Sequence, residues 1–258
     1  MQRTVLITGA SSGIGLELAR ECAQHGHDLV LVARRAERLE ELAATLRSDH
    51  GVEVCVLVYD LSVLSNAQAL YDVLAERGIQ IEYLINNAGF GTYGPFVESD
   101  AIRQQEMIAL NIAALTQLTR LFAADMVTRR FGRVLNVAST AAFQPGPMLA
   151  VYFATKAYVL HFSEAIDNEL GGTGVRVTAL CPGSTESEFA QTAQADRSLI
   201  FTMRRLPTSA DVARFGYRAM IGKKRVAIHG LLNKFLVQLV RVMPRTFVTA
   251  VARRMMAD

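Results

Sequence analysis

The chain has 258 residues, 51% hydrophobic and 20% charged, a globular balance that excludes an intrinsically disordered protein. Its net charge of +3 is uneven: residues 231–258 hold Lys234, Arg241, Arg245, Arg253 and Arg254 against Asp258, a net +4 that leaves the rest at −1. A nearly neutral body excludes a nucleic-acid-binding one, whose footprint is a basic stripe, so no nucleic-acid partner is expected.

In chain order, β-branched apolar runs alternate with helical patterns. The first, "TVLIT" at 4–8, has no basic segment and apolar core of a secretory signal before it. No stretch reaches about 18 uncharged apolar residues, so no membrane-spanning helix is expected. Strands are predicted at Thr4–Thr8, Asp28–Ala33, Val52–Val58, Tyr83–Asn86, Arg133–Ala138, Arg176–Cys181 and Arg225–Ile228. Most are nearly continuous apolar runs, as in a parallel sheet covered on both faces. "LELARECAQ" and "RAERLEELAATLRS" are helical patterns after the first two strands. Ser99 or Asp100 is placed to cap a helix running toward Val127, and Ser209 to cap "ADVARFGYRAMIG". Repeated β-α-β units imply right-handed crossovers. The expected fold is α/β, a doubly wound, mainly seven-stranded parallel sheet with helices on both faces.

Cys22, Cys55 and Cys181 are scattered and odd in number, which fits reduced thiols in a cytoplasmic protein. The five histidines have no metal-ligand spacing, so no metal site is expected.

"ITGASSGIGLELA" at 7–19 places Gly9, Gly13 and Gly15 between the first strand and its helix. Glycines allow a tight turn and close backbone approach, and a helix N-terminus offers free N–H groups to a pyrophosphate. Further along, "NNAG" at 86–89 follows the fourth strand. Ser139 ends the fifth, Tyr152 and Lys156 stand four residues apart on one helical face, and "PG" at 182–183 follows the sixth.

On these motifs the chain resembles the short-chain dehydrogenase/reductase family, over about residues 3–230. The resemblance implies a single NAD(P)-binding Rossmann catalytic domain at 1–230 with a substrate loop at about 187–206; outside it, residues 231–258 read as a basic amphipathic helical extension of the same domain. It implies cofactor contacts from Gly9, Ser11, Ser12, Gly13, Ile14 and Gly15, from Asp60 and Leu61, from Asn87, Ala88 and Gly89, and from Pro182, Gly183 and Thr185. Asp60 also suits capping of a helix beginning near Val63, as does Ser62. Ser187 competes with Thr185 for the nicotinamide amide. The family's catalytic tetrad falls on Asn111, Ser139, Tyr152 and Lys156. Hydride then passes between nicotinamide and a carbonyl or alcohol carbon while Tyr152 transfers the proton and Ser139 orients the oxygen. Lys156 lowers the Tyr152 pKa and binds the nicotinamide ribose, with Tyr152 beside it. Asn111 holds a water near the lysine through its helix and so closes a proton relay; the competing role for its amide is to stabilise a kink in that helix.

Eighteen residues after Gly15 stands Ala33, near where an acid would bind the adenosine 2′-hydroxyl. Ala33 removes the repulsion a 2′-phosphate would meet, and Arg34 offers a fork suited to phosphate. Arg35 either assists or begins the next helix in solvent. The expected cofactor is NADP(H) in preference to NAD(H).

Candidate pocket walls are apolar: Phe90, Tyr93, Phe143, Met148, Leu149, Phe189, Leu199, Ile200, Phe201 and Met203, with Arg197, Arg204 and Arg205 on the same loop. The expected function is NADP-dependent reduction of an apolar ketone or aldehyde. An NAD-linked alcohol or hydroxysteroid-type dehydrogenase and a catalytically silent dinucleotide sensor are the alternatives. In the tail, Leu231, Leu232, Phe235, Leu236, Leu239, Val240, Phe247, Val248 and Val251 recur at helical spacing around Pro244. Packing within the chain or in a homo-oligomer is favoured there over peripheral membrane contact, with covering of the substrate cleft a third use.

Overall fold

The computed structural model describes residues 2–189, 193 and 206–256. Its strands are β1 (Thr4–Thr8), β2 (Asp28–Ala33), β3 (Val54–Val58), β4 (Tyr83–Asn86), β5 (Gly132–Val137), β6 (Val175–Cys181) and β7 (Val226–Ile228). All are parallel, in the order β3-β2-β1-β4-β5-β6-β7. The expected doubly wound sheet is therefore the observed one. Bounds agree at β1, β2 and β4, and elsewhere move by one or two residues. The order reverses between β1 and β4, so their carboxyl ends open on the crevice where ligands of such sheets bind.

The helices are α1 (Gly13–Gln24), α2 (Ala36–His50), α3 (Asn66–Glu76), α4 (Ala101–Ile108), α5 (Leu115–Thr128), α6 (Ala150–Glu169), α7 (Ser209–Ile221), α8 (Leu231–Val242) and α9 (Arg245–Met256). Leu18 of α1, Leu39 of α2 and Met220 of α7 pack on one face of the sheet against Ile7 and Leu31. Leu70 of α3 with Leu118 and Phe122 of α5 cover the other, against Leu6 and Val134. By length and composition alone the 101–128 helix is apolar enough to cross a membrane, but Leu118, Phe122 and Met126 spend its apolar side on the core. Behind the sheet, buried Asp167 of α6 accepts from Arg176 at 2.7 and 2.9 Å, from Val177 N and from Arg225, tying α6 to β6 and the residue before β7.

Of three cap expectations, one is met. Asp100 caps α4, accepting from the Ile102 and Arg103 amides, so Ser99 does not. Thr208, not Ser209, caps α7 by accepting from Asp211 N; Ser209 donates to the Glu186 carbonyl instead. Neither Asp60 nor Ser62 caps α3, which starts at Asn66. Asp60 accepts from both Ser62 N and Ser62 Oγ, closing a local turn that delays the helix.

Candidate active site

The carboxyl ends of the central strands open on one cleft of about 420 Å³. At its floor Gly9 and Gly13 hold φ of +67° and +55°, a left-handed backbone that suits glycine. A Cβ on Gly15 would stand 2.3 Å from the Gly9 carbonyl and 2.4 Å from Asn87 Nδ2. Gly15 is therefore a spacer that seats α1 under the turn, and it does not line the cleft. No side chain caps α1 at Ser12, which leaves its first N–H groups for an anion. Asn87 Nδ2 donates to the Thr8 and Gly9 carbonyls, and Asn86 bridges to Asn136 and Thr119. "NNAG" thus staples the glycine turn to β4 while Ala88 and Gly89 face the cleft.

Ser139 follows β5. Its Oγ accepts from Ala141 N at 3.1 Å and lies 3.4 Å from the Pro182 carbonyl. Tyr152 and Lys156 share one face of α6 with Lys156 Nζ 5.8 Å from the Tyr152 ring centre, and Nζ donates to the Val137 carbonyl at 2.7 Å. The cleft brings Ser139, Tyr152 and Lys156 together.

Electrostatics here differ from the sequence expectation. Burial pushes the Tyr152 phenol up to about 12, against a hydrogen bond with Ser139 that pulls it down. Burial also pulls Lys156 down to about 8. Burial is the largest influence on each group, and what opposes it at Tyr152 is the Ser139 hydrogen bond, not Lys156. Tyr152 is therefore held as a neutral phenol.

Asn111 is not on the cleft wall. It lies in a π-helical segment, Ala109–Ala114, between α4 and α5. Its Oδ1 accepts from Phe90 N at 3.2 Å, and its Nδ2 donates to the Phe90 carbonyl and to Thr155 Oγ1, each at 3.0 Å. The side chain clamps the segment after β4 to α6. The π-bulge is the distortion that accommodates it. Gly89 makes the clamp possible, because a Cβ there would sit 2.9 Å from Asn111 Oδ1 and 3.5 Å from Lys156 Nζ.

At the other end, Arg35 is exposed but held by side chains of the cleft rim. Its guanidinium donates to Ser11 Oγ at 3.1 and 3.0 Å, to Ser12 Oγ at 2.7 Å and to Glu188 at 2.8 Å. Arg38 binds the second Glu188 oxygen. Arg34 is more exposed and lies 3.7 Å from Asp60. Sequence reasoning missed Glu188, since nothing local shows that a loop carboxylate meets two arginines 150 residues away. Thr185 donates to the Gly183 carbonyl and Ser187 lies 3.4 Å from the Thr185 carbonyl; both line the cleft with Ile14, Leu61, Pro182 and Gly183.

Around Tyr152 the walls are Phe90, Leu149, Phe153, Phe189 and, from the last turn of α9, Met256. Phe189 packs on Tyr152 with ring centres 5.0 Å apart. Tyr93 and Met148 pack behind Leu149, Phe153 and Met256, and Phe143 packs in a neighbouring cluster. Leu199, Ile200, Phe201, Met203, Arg197, Arg204 and Arg205 lie outside the described residues. Tyr158 stacks on Phe162 and pairs with Thr116 away from the site. Met256 shows the tail covering part of the cleft; the outer side of the tail is exposed.

A short chain dehydrogenase family model matches residues 3–198. The chain belongs to the short-chain dehydrogenases. Among relatives of this family, a monensin polyketide synthase putative ketoacyl reductase from Streptomyces virginiae is 37% identical over 191 residues, 73% of each chain. A short-chain dehydrogenase from Sphingobium yanoikuyae, solved with NADPH, superposes with a TM-score of 0.83 at 35% identity, covering 94% of this chain and 97% of that one. Another, from Burkholderia phymatum and solved with NAD, also gives 0.83, at 25% identity and 92% of each chain. Short-chain dehydrogenases bind NAD(P) and act on alcohol or carbonyl groups of small molecules, so this chain is an oxidoreductase of that kind.

Proposed function

We propose that the protein is an NADP-dependent reductase of an apolar ketone or aldehyde. The observation that carries this reading is the two-ended cleft, with a Ser11–Ser12–Arg35 cradle at one end and an apolar chamber around a protonated Tyr152 at the other. The left-handed glycine turn and the uncapped α1 terminus suit a pyrophosphate. The NADPH-bound and ketoacyl-reducing relatives support the same assignment.

When bound, the nicotinamide supplies the hydride. Ser139 donates a hydrogen bond to the substrate oxygen as negative charge develops on it, and Tyr152 delivers the proton. Lys156 spends one N–H on the Val137 carbonyl and keeps the others for the ribose. Asn111, through Phe90 and Thr155, positions the wall beside Tyr152. A phenol held neutral has the proton that reduction of a carbonyl consumes. The test is NADPH oxidation against a panel of apolar and charged carbonyl compounds, with turnover expected on apolar members only.

Two expected results follow from the charges. A Lys156 ammonium with a pKa of about 8 is lost as pH rises through that value, so kcat/KM for reduction falls above pH 8. A pH–rate profile in NADPH checks this, and a flat one through that range rejects it. Glu188 occupies the cations of the cradle, so Glu188→Gln is expected to tighten NADPH severalfold while leaving NADH unchanged. That size is modest because the ion pairs are partly exposed. Calorimetric titration of both cofactors is the measurement.

A further inference from the structure

We propose that the outer face of α8 and α9 docks the protein on an anionic lipid bilayer. Helix α8 has an apolar side but buries one residue, Val237. Leu231 is 83% exposed, Val242 78% and Phe235 64%, and Phe247 of α9 is exposed as well. Lys234, Arg241, Arg245, Arg253 and Arg254 are exposed on the same pair of helices, and no acidic residue lies between 231 and 256. An amphipathic helix with aromatic and leucine residues on one side and cations on the other lies in a membrane interface, with its cations on lipid phosphates.

Charge decides between this occupant and a second copy of the chain. A two-fold contact brings a patch against itself, which here sets five cations against five with no acid in the segment to offset them. An anionic bilayer complements the same patch. The inner side of α9 meanwhile places Met256 on the cleft wall, and Tyr93 Oη donates to the Met256 carbonyl, fixing the helix end there. The docked face therefore adjoins the apolar chamber. Delivery of a membrane-dissolved carbonyl compound by this route rests on the function proposed above; the docking itself does not.

The full chain is sedimented with vesicles of phosphatidylcholine alone and of phosphatidylcholine mixed with phosphatidylglycerol, at low and high salt. Partitioning onto the anionic vesicles is expected to exceed that onto the neutral ones by about tenfold or more and to fall with salt. Leu232→Asp with Phe235→Asp should abolish it with Tm unchanged, since both side chains are exposed. Arg241→Gln with Arg245→Gln should weaken the anionic binding alone. Failure to bind anionic vesicles, or binding that survives the Leu232→Asp, Phe235→Asp pair, overturns the proposal. So does light scattering that shows a dimer which the same pair converts to monomer. If reduction of carbonyl compounds fails while anionic vesicles still bind, the proposed function falls and the docking stands.

Discussion

Tyr152→Phe is expected to lower kcat for carbonyl reduction by about 10²–10⁴-fold, the contribution of one positioned proton donor. NADPH binding should change by no more than severalfold, because one hydrogen bond to the ribose is worth about 1 kcal/mol. The substitution removes only the hydroxyl. The ring contacts with Phe153 and Phe189, which hold the residue against α6 and the loop, remain. Steady-state kinetics and calorimetric titration on one preparation separate the two effects. Full turnover with normal cofactor affinity would falsify the role of Tyr152, and loss of both together would point to collapse of the cleft. Ser139→Ala is the companion measurement. It removes the hydrogen bond that opposes the effect of burial on Tyr152, so it disables the oxygen-orienting group and strengthens the neutral form of the phenol at once.

How much of this was legible beforehand depended on whether the signal was local. Alternating β-branched runs and helical patterns placed every strand, because burial on both faces of a parallel sheet leaves nearly continuous apolar segments. Gly9 and Gly13 were legible as backbone positions, since a tight turn before a helix needs them. Gly15 was legible as a glycine but not as a spacer. Its neighbours are the Gly9 carbonyl and the Asn87 side chain, and the second belongs to another strand. The same limit applies to Asn111, whose partners Phe90 and Thr155 are 21 and 44 residues away. The π-bulge that carries it has no periodic signature. Burial also escapes the sequence: the Tyr-x-x-x-Lys spacing suggests a lysine that lowers a phenol, and only the enclosed cleft shows desolvation to be the larger effect on both groups. Met256 lies 104 residues beyond Tyr152, so no local pattern could join them.

Arg34→Asp is expected to lower the NADPH/NADH ratio of kcat/KM by about 100-fold or more. A charge-assisted hydrogen bond is worth about 1.5–3 kcal/mol, or roughly 10- to 100-fold. The variant both removes a cation and adds an anion at the 2′ position. Arg34 is also the partner of Asp60 at 3.7 Å, so its loss releases a second carboxylate toward the same phosphate. Arg35 is expected to carry an equal or larger share of the proposed preference, because it is already oriented by Ser11 and Ser12 and loses less freedom on binding. Arg35→Ala alone confounds two effects, since it deletes a cation and leaves Glu188 less neutralised. Compared with Glu188→Gln, the combined Arg35→Ala, Glu188→Gln variant isolates the first, and its NADPH/NADH ratio should be about tenfold lower than that of Glu188→Gln. An unchanged ratio in both Arg34→Asp and the double variant would remove the phosphate cradle from these residues. A change in the double variant alone would assign the preference to Arg35 and leave Arg34 as a partner of Asp60. In that second case Glu188 belongs to the preference as well: a loop carboxylate that must release Arg35 sets how much of the cation's attraction NADPH can use.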